Sequence, residues 1–205
     1  MAKPRLTFRR LFGLDRSGPP PPETQAGAPM NPWTIPNVIG FTRLLLIPAF
    51  AAVALIDDDG IDPWAAILFA VIAWSDYADG IAARVTGQYS RLGTLMDPVT
   101  DRLLVLAGAI ACWRWELLPR WALAVLGARE AFMLVAGRYG LRRGAEIRIN
   151  WPGRISVWPL MSAVFFALAG AATVAEWCLY AGLFFALWAT VLYVRDGWAQ
   201  VSTRP

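Results

Sequence analysis

The chain has 205 residues, of which 57% are hydrophobic and 17% are charged, and its mean hydropathy is +0.45. Soluble domains average about 45–50% apolar and about 25% charged residues, so this chain carries too much apolar surface for one soluble core. It contains no histidine and two cysteines, which excludes Ser-His-Asp triads, histidine metal sites, zinc clusters and disulfide frameworks. The net charge of +4 indicates orientation in a membrane and contact with phosphates more than nucleic-acid binding.

Residues 1–30 differ in composition from the rest of the chain. They hold Lys3 and four arginines, followed by four consecutive prolines at positions 19–22. A stretch that buries so little apolar surface is predicted to be a disordered, basic cytoplasmic tail, with some attraction to anionic lipid.

Six apolar segments follow, each close to the roughly 20 residues that cross a bilayer. The predicted spans are Pro36–Ile56, Trp64–Arg84, Gly93–Trp113, Pro119–Gly140, Ile155–Ala175 and Trp177–Val194. They define an all-α, polytopic membrane domain over residues 31–198, with a short C-terminal tail over residues 199–205.

The charges of the loops predict the orientation of these spans. One set of loops and tails holds the five basic tail residues with Arg91, Arg142, Arg143, Arg148, Arg154 and Arg204. The other set holds Arg114 against Asp57, Asp58, Asp59, Asp62, Glu116 and Glu176, the last in a turn predicted between the fifth and sixth spans. Because positive loops stay on the cytoplasmic side, both termini are predicted to be cytoplasmic, in the inner membrane of the cell.

Four acidic residues lie inside predicted spans, where each carboxylate costs about 2.5–3.5 kcal/mol or more. Asp76 and Asp79 are on the second span, and Asp97 and Asp101 are on the third. Spacings of three and four residues place each pair on one helix face. Because the two spans are antiparallel and joined by a short turn over Val85–Leu92, the four carboxylates are expected at matched depths, about 6–12 Å below the cytoplasmic helix ends.

Four carboxylates in one pocket would repel each other and take up protons unless cations were bound. Oxygen ligands without histidine or cysteine favour magnesium, manganese or calcium. The alternative is a set of structural ion pairs with Arg84, Arg91 or Arg102, but one or two arginines could not neutralise four acids.

The acids belong to a longer pattern, Asp76-x2-Asp79-Gly80-x2-Ala83-Arg84-x8-Gly93-x3-Asp97-x3-Asp101. It resembles, position by position, the signature of the CDP-alcohol phosphotransferase (CDP-alcohol phosphatidyltransferase) family. The resemblance implies a homodimeric enzyme of six membrane helices with a polar cavity that faces the cytoplasm. It also implies that the enzyme uses Mg²⁺ or Mn²⁺, two ions per active site, to transfer a phosphatidyl group from CDP-diacylglycerol to an alcohol, with release of CMP.

The same resemblance implies roles for individual residues. Asp76, Asp79 and Asp97 would bind the metal ions, and Asp101 would lie at the metal centre and act as the catalytic general base. Gly80, Arg84 and Gly93 would contact the CDP part of the donor. A carboxylate base is chemically suitable, because it can take the proton of the acceptor hydroxyl at hydrogen-bond distance.

Other segments bear on the alcohol acceptor. The stretch from Asn31 to Asn37, with Arg43, resembles phosphatidylglycerophosphate synthases and bacterial cardiolipin synthases, as do Arg129-Glu130 and the segment from Trp151 to Arg154. We therefore expect glycerol 3-phosphate as acceptor, with its phosphate held by Arg129, Arg148 and Arg154. The alternatives are that these arginines are only positive-inside charges, and that phosphatidylglycerol is the acceptor, which would give cardiolipin.

Two other functional classes remain at this point. Intramembrane acids also mark cation transporters and channels, but these acids crowd one side of the predicted membrane and no inverted repeat is visible. A noncatalytic membrane scaffold would gain by replacing the buried acids with apolar residues. Acceptor-dependent CMP release distinguishes the enzyme from both.

Overall fold

The structure, a computed structural model, describes residues 30–56, 59–142 and 151–202. Within these ranges it contains helices and no strand, which confirms the all-α class. The helices are α1 (Ile35–Ile56), α2 (Pro63–Thr86), α3 (Arg91–Arg114), α4 (Arg120–Arg142), α5 (Trp151–Leu168) and α6 (Ala172–Ser202). Some residues named in the sequence predictions lie outside the described residues. These are the predicted tail up to residue 29, and Asp57, Asp58, Arg143, Arg148 and Arg204.

Local sequence accounts for the start of α2 and for the turn that leads into α3. The carboxylate of Asp62 accepts a hydrogen bond from the backbone N–H of Trp64 at 2.8 Å, and Pro63 takes the first helical position, where its missing N–H costs nothing. Helix α2 ends at Thr86, and Gly87 adopts a φ of 67° that favours glycine. The short turn predicted between the second and third spans is confirmed.

The predicted break between the fifth and sixth spans is wrong. The prediction extended the fifth span to Ala175 and put Glu176 in a loop, whereas α5 ends at Leu168 and Glu176 lies inside α6. Gly170, with a φ of 79°, ends α5 in a left-handed turn in which the N–H of Ala171 donates to the carbonyl of Phe166 at 2.8 Å. This arrangement is a Schellman cap. Because apolar residues flank it on both sides, hydropathy alone does not indicate that the helix ends here.

Three helices of the described chain combine the length and apolarity that a membrane crossing requires: α1, α2 and the Ala172–Gly197 part of α6. Helices α3 and α4 are 24 and 23 residues long, but both carry several charged side chains that lower their hydropathy. Six crossings therefore stay a prediction.

The described residues form two compact units, one from residues 30–53 and 67–108 and the other from residues 54–56, 59–66, 109–142 and 151–202. The first unit contains most of α1, α2 and α3, and with them all four aspartates. In the second unit, α6 packs along α5 and also contacts α4.

Candidate functional site

The aspartates that the sequence singles out lie on α2 and α3, and three of them bind the same guanidinium. Arg43 of α1 donates through Nη1 to Asp76 Oδ1 at 2.8 Å and to Asp79 Oδ2 at 3.3 Å. Its Nη2 donates to Asp101 Oδ1 at 2.8 Å. Carboxylates from both helices therefore converge, as their spacing predicts.

These carboxylates differ in how open they are. The Asp79 side chain is 10% exposed, whereas those of Asp76 and Asp101 are 44% and 41% exposed. Asp97 lines the same pocket as Asp79 but is not among the partners of Arg43. Three of the four carboxylates are thus accessible or free of Arg43, which is what a ligand-binding cluster needs.

Arg43 is the partner of the aspartates that the sequence does not predict. It is 1% exposed, and its Nε is buried without a hydrogen-bond partner. It is also the one charged residue of the 22-residue helix α1, and a charge inside an apolar helix demands a partner. The alternative interpretation of the acids as structural ion pairs named Arg84, Arg91 and Arg102 and not Arg43. Contacts 33 to 58 residues apart along the chain leave no periodic signal in the sequence.

The cluster fits a hard divalent cation by its donor chemistry, since it offers carboxylate oxygens in a chain without histidine. Within the described ranges, however, no group of three or more acidic or thiol side chains is arranged to hold an ion directly. The guanidinium of Arg43 takes an oxygen from three of the carboxylates. A divalent cation and Arg43 would compete for these oxygens.

An open pocket lies beside the acids in the first unit. Among the residues that line it are Asn37, Asp79, Gly80, Ser90, Gly93 and Asp97. The structure thus brings Gly80 and Gly93, both expected to contact the CDP part of the donor, next to two of the predicted metal ligands.

Arg84, the third residue of the expected CDP site, reaches back over Gly80. A Cβ on Gly80 would lie 2.9 Å from Arg84 Nη2, so glycine makes room for the guanidinium. The Nε of Arg84 is buried without a hydrogen-bond partner. A guanidinium held in this way can donate a hydrogen bond to a further ligand, such as a phosphate oxygen.

A buried polar network forms another wall of the pocket. Ser90 caps α3, because its Oγ accepts the N–H of Gly93 at 3.0 Å. The same Oγ donates to Asn37 Oδ1 at 2.8 Å, and Asn37 Nδ2 donates to the carbonyls of Asn31 and Pro32. A Cβ on Gly93 would lie 2.9 Å from Asn37 Oδ1, so the glycine of the motif has a packing role in addition to any contact with ligand.

The residues expected to hold an acceptor phosphate are described only in part. Arg129 of α4 donates through Nε to Thr190 Oγ1 of α6 at 2.9 Å, and its Nη1 pairs with the carboxylate of Glu130. Its guanidinium is therefore already bound on two sides. Arg154 lies in α5, and Arg148 lies outside the described residues.

Membrane-length apolar helices and a cluster of carboxylates on α2 and α3 are typical of membrane proteins with a polar site. The model of the CDP-alcohol phosphatidyltransferase family matches residues 33–188, a range that includes all four aspartates. The chain belongs to the CDP-alcohol phosphatidyltransferase family and is a transferase of phospholipid biosynthesis.

Three bacterial relatives show the range of names within this family. The cardiolipin synthase (CMP-forming) of Streptomyces coelicolor is 38% identical over 82% of this chain and 80% of its own length. The CDP-diacylglycerol--glycerol-3-phosphate 3-phosphatidyltransferase of Bacillus subtilis is 32% identical over 64% of this chain and 75% of its own length. The Escherichia coli K12 protein of the same name is 29% identical over 82% of this chain and 97% of its own length.

Proposed function

We propose that this enzyme transfers the phosphatidyl group of CDP-diacylglycerol to the hydroxyl of an alcohol and releases CMP. The observation that carries the proposal is the cluster of Asp76, Asp79 and Asp101 around Arg43, beside a pocket lined by Asp97 and the motif glycines. The names of the relatives support a CDP-linked donor and a CMP-releasing reaction.

In the proposed reaction, the acceptor oxygen forms a bond to the phosphorus of the phosphatidyl group. The bond from this phosphorus to the oxygen shared with CMP breaks, and the hydroxyl proton passes to Asp101. Arg43 holds Oδ1 of Asp101, and the carboxylate is 41% exposed. Its second oxygen can therefore face an acceptor hydroxyl at hydrogen-bond distance, as a general base requires.

We propose that the carboxylates of Asp76, Asp79, Asp97 and Asp101 hold the divalent ions, Mg²⁺ or Mn²⁺, two per active site. When bound, such ions neutralise the diphosphate and the departing CMP. The excess of negative charge supports this proposal, because Arg43 is one cation among four carboxylates.

For the nucleotide part of the donor we propose the pocket beside the acids. Gly80 and Gly93 line this pocket together with Asp79 and Asp97. Arg84 is the cation suited to a phosphate oxygen, since its Nε is unpartnered and its Nη2 lies over Gly80. An arginine fork is a common way to bind a diphosphate.

For the acceptor we propose phosphatidylglycerol first and glycerol 3-phosphate second. The 38% identity with a CMP-forming cardiolipin synthase supports the first, as does the engagement of Arg129 by Thr190 and Glu130, which leaves its guanidinium less free for an acceptor phosphate. The relatives named for glycerol 3-phosphate support the second, which is the acceptor expected from the sequence alone.

We also propose six membrane crossings, cytoplasmic termini and a homodimer. Large apolar side chains are exposed even on helices whose charges lower their hydropathy, among them Leu106 of α3, Val135 of α4 and Trp158 of α5. Lipid would cover such side chains in a membrane. The site would then open toward the cytoplasm, on the side to which the positive loop charges are assigned.

An acceptor panel tests the proposed function. Purified protein in detergent is given CDP-diacylglycerol and Mg²⁺ with phosphatidylglycerol, glycerol 3-phosphate, inositol phosphate or serine, and the lipid products are identified by mass. We expect CMP release with phosphatidylglycerol and a product with the mass of cardiolipin. A product with glycerol 3-phosphate alone would reverse the order of the two acceptors, and no product with any acceptor would contradict the proposed reaction.

A further inference from the structure

Arg43 makes an unusual set of contacts for a single side chain. Its guanidinium is 1% exposed and binds carboxylates from two different helices, Asp76 and Asp79 of α2 and Asp101 of α3. Arginine is suited to such a role, because its planar fork offers several N–H donors in fixed directions and keeps its charge when buried.

The contacts of Arg43 overlap with the oxygens that metal ions would need. Divalent cations bind carboxylate oxygens directly, and Oδ1 of Asp76, Oδ2 of Asp79 and Oδ1 of Asp101 are each within 2.8–3.3 Å of an Arg43 nitrogen. An ion on these same oxygens would share them with the guanidinium, and the two positive charges would repel each other.

The cluster also needs a positive charge when no metal ion is present. Asp79 is 10% exposed, and a buried carboxylate without a partner is strongly destabilising. Arg43 supplies this charge from a helix outside the motif, and the described residues show it in three ion pairs with the cluster.

We propose that Arg43 is a built-in counter-cation that holds Asp76, Asp79 and Asp101 together in the metal-free enzyme and gives up carboxylate contacts when a divalent ion binds. The inference rests on the metal requirement proposed above. Arg43 is in this account a positioning residue, since it acts through the carboxylates. By linkage, any factor by which Arg43 favours the metal-free state over the metal-bound state lowers metal affinity by the same factor.

The test compares three variants of the full-length protein in detergent: Arg43→Gln, Arg43→Lys and Asp97→Asn. Thermal unfolding is measured in EDTA and in saturating Mn²⁺, and Mn²⁺ binding is measured directly by electron paramagnetic resonance. We expect Arg43→Gln to lower the Tm in EDTA, to show a larger rise of Tm with Mn²⁺ than the wild type, and to bind Mn²⁺ on the order of tenfold more tightly.

The other two variants show whether a change of Tm or of Mn²⁺ affinity is due to the contacts of Arg43 with the carboxylates. Arg43→Lys keeps the charge but loses the fork that bridges two helices, so its shifts should have the same direction and be smaller. If Arg43→Gln does not accumulate as folded protein, Arg43→Lys carries the test. Asp97→Asn removes a carboxylate that Arg43 does not bind, so it should weaken Mn²⁺ binding without lowering the Tm in EDTA.

Two results would overturn the inference, and they are distinguishable. If the wild type binds Mn²⁺ and the Arg43 variants bind it equally well or more weakly, Arg43 does not exchange with the metal, while the proposed metal requirement stands. If the wild type shows neither Mn²⁺ binding nor a change of Tm, the metal requirement itself is contradicted and the exchange with it.

Discussion

A charged side chain inside an apolar helix is stable only when a partner compensates its charge. Arg43 and the aspartates of α2 and α3 meet this requirement for one another, with contacts of 2.8 Å at Asp76 and Asp101. Gly80 contributes in another way: because it has no side chain, the guanidinium of Arg84 can lie over it beside the pocket. The residues of the motif thus act on each other as well as on a ligand.

Gly80→Ala tests the role of this glycine. The added Cβ would meet Arg84 Nη2 at 2.9 Å, and the far end of a flexible side chain can move at little cost in stability. We expect an almost unchanged Tm and a KM for CDP-diacylglycerol raised on the order of tenfold, because a charge-assisted hydrogen bond is worth about 1.5–3 kcal/mol. Steady-state kinetics and thermal unfolding measure the two quantities, and a large drop in Tm with an unchanged KM would contradict this role.

At this scale, the sequence predicts which acidic residues lie together but not that Arg43 binds them. Spacings of three and four residues place Asp76 with Asp79 and Asp97 with Asp101 whatever the rest of the fold does. The contact of Arg43 with these residues depends on how α1 packs in the first unit, which no local pattern encodes. The cost of burying Arg43 predicts that it has a partner, but not which one.

At the scale of elements, the start of α1 is tied to the start of α3. Asn37 is 1% exposed and bonds to Ser90 Oγ, which in turn caps α3. The Oε1 of Gln88, in the turn before α3, accepts the N–H of Ile35 at the first position of α1 at 2.9 Å. These bonds fix the wall of the pocket that carries Gly93.

Gly93→Ala should break this connection, and Gly127→Ala is its matched control. A Cβ on Gly93 would lie 2.9 Å from Asn37 Oδ1 and 3.3 Å from Ser90 Oγ, whereas a Cβ on Gly127 of α4 would meet nothing within 4 Å. Leaving buried polar groups unpaired costs about 1–3 kcal/mol, so Gly93→Ala should lower the Tm. Gly127→Ala should keep or raise it, because alanine favours a helix by up to about 1 kcal/mol over glycine.

The Tm of both variants, measured by thermal unfolding in the same detergent, tests this prediction. Equal Tm values for Gly93→Ala and Gly127→Ala would show that Asn37 and Ser90 can move aside without cost. The glycine of the motif would then have no packing role.

The helices themselves are largely predictable from apolar length, and their ends are less so. The turn after Thr86 carries a glycine and a capping serine, and the sequence predicts its position correctly. The turn at Gly170 is flanked by alanines and phenylalanines. The hydropathy stays high through it, so the sequence predicts the break between the helices several residues too late. A lone glycine within an apolar run is compatible with a helix, a cap or a close contact, and the backbone conformation distinguishes them.

At the scale of the whole molecule, the exposed apolar side chains and the loop charges point to a protein immersed in lipid. Leu45 of α1 is 76% exposed and Val135 of α4 is 70% exposed, values that water would disfavour and acyl chains would not. The predicted topology places Glu116 outside and Asp196 in the cytoplasm, by the charges of their loops.

Cysteine labelling tests this topology. In a Cys112→Ala, Cys178→Ala background, Glu116→Cys and Asp196→Cys replace side chains that are 69% and 58% exposed. On sealed right-side-out vesicles, a membrane-impermeant maleimide should label the Glu116→Cys variant and not the Asp196→Cys variant. After the vesicles are permeabilised, it should label both variants. Labelling of Asp196→Cys in sealed vesicles would contradict cytoplasmic termini.

The most direct test of the catalytic role of the acidic cluster is acceptor-dependent CMP release by Asp101→Asn, with Asp196→Asn as the matched control outside the site. Asparagine keeps the shape of the side chain but cannot take a proton, and a general base contributes about 10²–10⁴-fold. We predict a loss of at least about 100-fold for Asp101→Asn, with CDP-diacylglycerol binding within a few-fold of wild type, and no loss for Asp196→Asn. If the Asp101→Asn variant released CMP at the wild-type rate, the assignment of the chemistry to this cluster would be contradicted.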